Sequence, residues 1–129
     1  MYSVNIDFKS RKPIYDQLVD GFCELILRGI MSPGEQLPSV RALSAELGIN
    51  PNTIQRAYSE LERQGIIYSV SAKGSFVCED IEPVRHRAKN AKKDALLCAL
   101  SACINAGVTY DEILKIVTDV TKGDKDGQN

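Results

Sequence analysis

Apolar positions recur along this chain with two different periods. From Pro13, the residues Ile14, Leu18, Phe22, Leu25 and Ile26 follow at helical spacing up to Gly29. The spacing predicts an amphipathic helix over 13–28, with Pro13 in the first turn, where a missing N–H is tolerated. Before it, Val4, Ile6 and Phe8 alternate with Ser3, Asn5 and Asp7, as in a short strand or an extended arm. Met31 to Pro38 contains Pro33, Gly34 and Pro38 and reads as a loop of fixed turns. Ser39 then caps a short helix with Val40, Leu43 and Leu47 on one face and Gly48 as its stop. Asn50 offers the next cap and Pro51 the next first-turn residue. Ile54, Ala57, Tyr58 and Leu61 form the apolar face of a third helix, which ends before Gly65. Two short helices so close in sequence cannot lie parallel; packed steeply on the first, they predict a helix-turn-helix.

Past Gly65 the period shortens. Ile67–Val70 and Ser75–Val77 read as strands, joined by the tight connection Ser71–Gly74 that Gly74 eases. A hairpin directly after a helix-turn-helix is a wing, and because it is unstable alone, Val70, Phe76 and Val77 are expected to lend side chains to the helical core. Helical spacing returns with Leu96, Leu97, Leu100, Cys103 and Ile104 before Gly107. Thr109 and Glu112 form a capping-box pair, and Ile113, Ile116, Val117 and Val120 share one face beyond it. Two such helices carry more apolar face than they bury on each other, so these nine residues are expected to pack against a second copy of the chain. The predicted fold is mainly α with a small β hairpin, a winged helix-turn-helix followed by a C-terminal helical hairpin. Its parts are a winged helix-turn-helix domain at 1–78, a two-helix dimerisation region at 79–121 and a flexible polar tail at 122–129.

The 129 residues suffice for one compact domain with an appendage. Their formal net charge of -1 gives no global attraction for nucleic acid, so any basic footprint is local. No apolar run is long enough for a membrane span and the N-terminus lacks a basic-then-apolar signal pattern, so a cytoplasmic protein is expected. Cys23, Cys78, Cys98 and Cys103 form no CxxC pair, and the single His86 has no ligand-spaced partner. Neither a metal nor another cofactor is expected. Cys98 and Cys103 do not share a helix face, which leaves only a cross-subunit link open to oxidation. No catalytic constellation and no phosphate-binding glycine loop is present, so the chain does not read as an enzyme.

The third helix instead presents polar reach. Asn52, Thr53, Gln55 and Arg56 lie off its apolar face near the N-terminus, where side chains that form paired hydrogen bonds meet base edges and exposed amides suit a phosphate. Ser39 is either a cap alone or also a DNA contact, and Arg41 beside it can hold the duplex backbone or reach its groove. Lys73, with the slim Gly74, can approach the minor groove or flanking phosphates from the wing tip. The basic run Arg85–Lys93 is a solvated face or a further anion contact. A winged-helix protein-interaction module is the alternative, though it would carry a more apolar third helix.

The runs Pro13–Leu18, Pro33–Leu43, Asn50–Tyr58, Leu61–Glu62, Gly65 and Lys73–Val77 together resemble the winged helix-turn-helix of GntR-type bacterial transcriptional regulators over roughly residues 10–78. The short remainder is similar to the YtrA-like branch, whose members carry a two-helix dimerising part. The resemblance implies a homodimeric repressor on a palindromic double-stranded DNA operator, often near transport genes. It puts Ser39 and Arg41 at DNA-facing positions, Pro51, Asn52, Thr53 and Gln55 in the recognition helix, and Gly74 at the wing glycine. Many relatives carry arginine where this chain has Pro51 and Gln55, so its operator is not expected to be theirs. With no large ligand domain, an unidentified small-molecule effector would have to bind at the dimer interface.

Overall fold

A computed structural model of the chain describes residues 4–127. The element order is α1 (Ile14–Leu27), α2 (Val40–Leu47), α3 (Pro51–Arg63), β1 (Ile67–Val70), β2 (Gly74–Val77), α4 (Glu82–Asn105) and α5 (Tyr110–Gly127). The architecture is the expected one, mainly helical with one antiparallel hairpin and a C-terminal helix pair. The chain divides into two compact units between His86 and Arg87, inside α4.

In the first unit the helical stripes converge. Leu18, Phe22 and Ile26 of α1, Leu43 of α2, and Ile54, Ala57, Tyr58 and Leu61 of α3 are all buried in one cluster. Val19 joins them from α1, although the stripe read from the sequence did not include it. Pro13 stands one position earlier than expected, as the N-cap of α1. At eight residues α2 is too short to be stable alone. It is held by the Leu43 anchor, by Ser39 Oγ accepting from Ala42 N at 3.0 Å, and by Gly48, whose φ of 68° closes the helix in the left-handed region.

The N-terminal segment is an arm and not a strand; Ser3 of the expected strand lies outside the described residues. Its Val4 is buried against Gly21, where a Cβ would stand 2.5 Å from Val4 Cγ1. Gln17 fastens the arm, accepting from Asp7 N at 2.8 Å and donating to Asp7 O at 3.0 Å.

The hairpin pairs Ile67 with Val77 and Val70 with Gly74 at its two ends. Its contribution to the core differs from expectation at two residues: Val77 is buried, but Phe76, half-buried, stacks on Tyr68 and does not join the core cluster, and Val70 stays exposed. Val70 is next to the turn, and Ile66 and Ile67 at the opposite end fill the core instead. The loop before α2 runs along the outer edge of β2. Gly34 N donates to Val77 O at 2.9 Å, Val77 N to Glu35 O at 2.8 Å and Leu37 N to Ser75 O at 2.8 Å. These bonds cover an edge that would otherwise be open.

The first unit extends past residue 78, where the sequence placed its end. Val84 is buried, Ile81 half-buried, and Arg85 donates to the last-turn carbonyl of α1, Leu27 O, at 2.9 Å while pairing with Glu82. One member of the basic run is thereby a helix cap. At the other end α5 continues through Gly127 and not only to 121, because extending an existing helix requires no new nucleus even in a polar sequence. Gln128 and Asn129 of the expected tail lie outside the described residues.

Candidate nucleic-acid interface

Local hydrogen bonding sets α2 and α3 at a fixed distance. Asn50 caps α3 by accepting from Asn52 N at 2.8 Å, with Pro51 in its first turn. Tyr58 O–H reaches back from α3 to Pro38 O at 2.7 Å, immediately before the Ser39 cap of α2. The Tyr58 ring meets Phe22 of α1 edge-on at 5.6 Å and 84°. Burial pushes the Tyr58 phenol well above its ordinary pKa, so it remains a protonated donor.

Between α2, α3 and the wing lies a groove of about 340 Å³ lined by Gln36, Ser39, Gln55, Tyr58, Ser69, Lys73 and Gly74, among others. Four residues named from the sequence, Ser39, Gln55, Lys73 and Gly74, are therefore brought together from three separate elements. Arg41 stands exposed in the first turn of α2, Pro51 and Asn52 are exposed at the start of α3, and Thr53 is half-buried. Arg56 leaves α3 on its other flank, with its guanidinium carbon 4.9 Å from the centre of the Tyr15 ring.

The structure overturns one expectation at this end of α3. Pro51 has no N–H, Asn52 N–H is bound by the Asn50 side chain, and Thr53 N and Ile54 N both donate to Asn50 O, at 3.0 and 3.3 Å. The cap that starts the helix consumes the donors a phosphate would need. Side chains, and not free amides, must make the contacts here.

Gln36 was not legible as a site residue. It sits in the proline-rich loop, and its Nε2 donates to Lys73 O at 2.8 Å across a separation of 37 residues. A Cβ on Gly74 would stand 2.8 Å from that same nitrogen, and the Gly74 φ of 119° already disfavours any side chain. Glycine is required here so that Gln36 can pin the wing tip, a tighter constraint than the slim turn inferred from sequence. Ala72 beside it holds a φ of 65°. No periodicity signals a contact made by one side chain out of a loop.

In the second unit the capping box forms as read, Thr109 N donating to Glu112 Oε2 at 2.8 Å and Glu112 N to Thr109 Oγ1 at 3.2 Å. Helices α4 and α5 share few close backbone approaches. Leu100, Cys103 and Ile113 are half-buried, whereas Leu96, Leu97, Ile104, Ile116, Val117 and Val120 are exposed. Tyr110 and Leu114 add to this apolar surface without having been singled out. Among the described residues no group of His, Cys, Asp and Glu is arranged to hold a metal, and no helix is long and apolar enough to cross a membrane.

The sequence pattern described as "Bacterial regulatory proteins, gntR family" matches residues 14–77, the segment that builds α1 through β2. The chain is 37% identical over 127 residues to the HTH-type transcriptional repressor YtrA of Bacillus subtilis (strain 168), covering 95% of this chain and 98% of that protein. It belongs to the GntR family. Within that family it is closely related to the YtrA-like branch. A GntR family transcriptional regulator from Listeria monocytogenes superposes with a TM-score of 0.74 at 35% identity, over 87% of this chain and 98% of that one. YtrA from Sulfolobus acidocaldarius, a GntR-family transcription factor, gives a TM-score of 0.63 at 34% identity, over 76% of this chain and 97% of that one. As a GntR protein the chain is a DNA-binding transcriptional regulator and not an enzyme. This membership excludes the reading as a winged-helix module without DNA binding.

Proposed function

We propose that this GntR regulator is a cytoplasmic homodimeric repressor that binds an inverted-repeat operator near transporter genes. The observation that carries the dimer is the apolar face of α4 and α5, on which Leu97 is 61%, Ile104 63%, Ile116 57% and Val120 65% exposed. Single copies of soluble proteins rarely leave so much contiguous apolar surface in water. A second copy related by a two-fold axis covers it with the same face, and the two α3 helices then address half-sites related by that axis. Ser39, Arg41 and Lys73 hold phosphates, giving salt-sensitive affinity, while Asn52, Thr53 and Gln55 read base edges in the major groove. Pro51 fixes the start of the reading helix, and Gly74 admits the wing tip beside the duplex. Occupation of a promoter then blocks transcription. An effector, where one exists, binds at the dimer interface, because the groove beside α3 is the DNA-facing one. The repressor sense accords with the Bacillus relative, which is named a transcriptional repressor, and the transporter setting carries over from the YtrA-like resemblance.

Selection of duplexes from a random library, with sedimentation of the free and bound protein, tests this reading. A two-fold-symmetric motif bound by two chains is expected. Leu97→Asp with Ile116→Asp should yield monomers that bind a single half-site weakly. An asymmetric motif bound by one chain would refute the dimeric mechanism.

A further inference from the structure

We propose that Tyr15 is a positioning residue for DNA binding. Its ring holds the Arg56 guanidinium on the α1 flank of α3, where Arg56 contacts the phosphate strand opposite the one addressed by the wing. This deepens the reading of α3 as the recognition helix and rests on it.

Adjacent residues leave a helix about 100° apart, so Gln55 and Arg56 leave α3 in different directions. Gln55 lines the wing-side groove with Ser39 and Gly74 and also borders a second cleft, its Nε2 donating to Ser59 Oγ at 3.4 Å. Arg56 lines only that second cleft, of about 290 Å³, with Tyr15, Ser59, Glu60 and Arg63. The charges in that cleft are already sorted. Glu60 accepts from Arg63 Nε at 2.7 Å and from Gln64 Nε2 at 3.0 Å, which leaves its carboxylate engaged away from Arg56. Among the described residues no ion pair or hydrogen bond holds Arg56; its contact is the Tyr15 face at 4.9 Å.

The choice of partner matters chemically. A carboxylate would occupy the N–H fork of the guanidinium, whereas an aromatic face restrains the group and leaves its donors free for phosphate oxygens. Restraint before binding also lowers the entropic cost of the contact. The duplex supplies the second half of the argument. A helix with its side chains is about 10–12 Å across and the major groove about 12 Å wide, so a seated helix has a phosphate strand along each flank. Lys73 on the wing answers one strand, and Arg56 on its tyrosine platform answers the other.

Phosphate contacts do not depend on sequence, so a mixed-sequence duplex, titrated across a salt series, is a sufficient probe. Arg56→Ala should flatten the slope of log affinity against log salt by about 0.9 for each subunit bound. Tyr15→Leu should weaken binding about threefold, and Tyr15→Phe, which keeps the ring, should bind as the parent does. In the Arg56→Ala background Tyr15→Leu should have no further effect. An unchanged salt slope in Arg56→Ala, or an equal loss from Tyr15→Leu in both backgrounds, would overturn the proposal. Arg56 is exposed, so Arg56→Ala keeps the idea falsifiable even if Tyr15→Leu unfolds. Failure of the parent protein to bind any duplex would instead overturn the recognition-helix reading itself.

Discussion

Tyr58→Phe isolates the single hydrogen bond that ties the recognition helix to the start of α2. The substitution keeps the ring, and with it the edge-on contact to Phe22 at 5.6 Å, while removing the hydroxyl that donates to Pro38 O at 2.7 Å. Tyr58 is 4% exposed, and its raised pKa makes it a donor throughout the usual working range of pH. A hydrogen bond of this kind contributes about 1 kcal/mol net, rising to about 3 kcal/mol when the abandoned acceptor is sealed from water. Pro38 is only half-buried, so water can partly replace the donor and the loss should be about 1–1.5 kcal/mol. For a unit of this size that lowers Tm by about 4–10 °C. Thermal unfolding followed by far-UV circular dichroism measures it. DNA titration well below the transition should also show weaker binding, since the bond sets the spacing of Ser39 from α3. A Tm equal to that of the parent would refute the reasoning, showing the Pro38 carbonyl to be fully rehydrated and the hydroxyl to be no tie.

Ser39→Ala should cost about 1 kcal/mol through the lost cap, whereas Ser39→Asp keeps a capping oxygen but sets a negative charge against a phosphate. Parental Tm with weakened DNA binding in Ser39→Asp is expected, and parental affinity would remove Ser39 from the backbone contacts. Gly74→Ala should displace Gln36 from Lys73 O and weaken DNA binding about tenfold, read by titration; an unaffected variant would show the wing tip to be free of that pin. Hydrogen bonds from Arg63 and Gln64 hold the Glu60 carboxyl down at about 2. Its folded pKa is below the unfolded one, so its stabilisation is complete above the ordinary carboxylate range and is lost as pH falls toward 2. Tm profiles of the parent and Glu60→Gln should therefore converge as the solution is acidified, and parallel profiles would contradict this.

The helices and their caps were legible because each is specified by neighbours in sequence. Ser39, Asn50, Gly48 and the Thr109–Glu112 box act within one turn of the element they bound, and the apolar stripes of α1 and α3 repeat every turn. The exposed face of α4 and α5 was equally readable, since excess apolar surface is a property of the stripe itself. The residues proposed for DNA were named from the polar face of α3, the start of α2 and the wing turn, but their grouping around two clefts that meet at Gln55 was not legible.

By itself, then, the sequence determined which segments become helices or strands, where each stops, and which face of each is apolar, because those properties are short-range. Only the tertiary structure decided what crosses between elements. Gln36 pins Lys73 over 37 residues, Arg85 closes α1 from the start of α4, Tyr58 fastens Pro38, and Tyr15 carries Arg56. It also decided that the α3 amides are consumed by their own cap and that Val70 misses the core. Such contacts have no period and no fixed spacing. They exist only once packing has brought distant side chains within hydrogen-bond or van der Waals range, and a one-dimensional pattern carries no record of that distance.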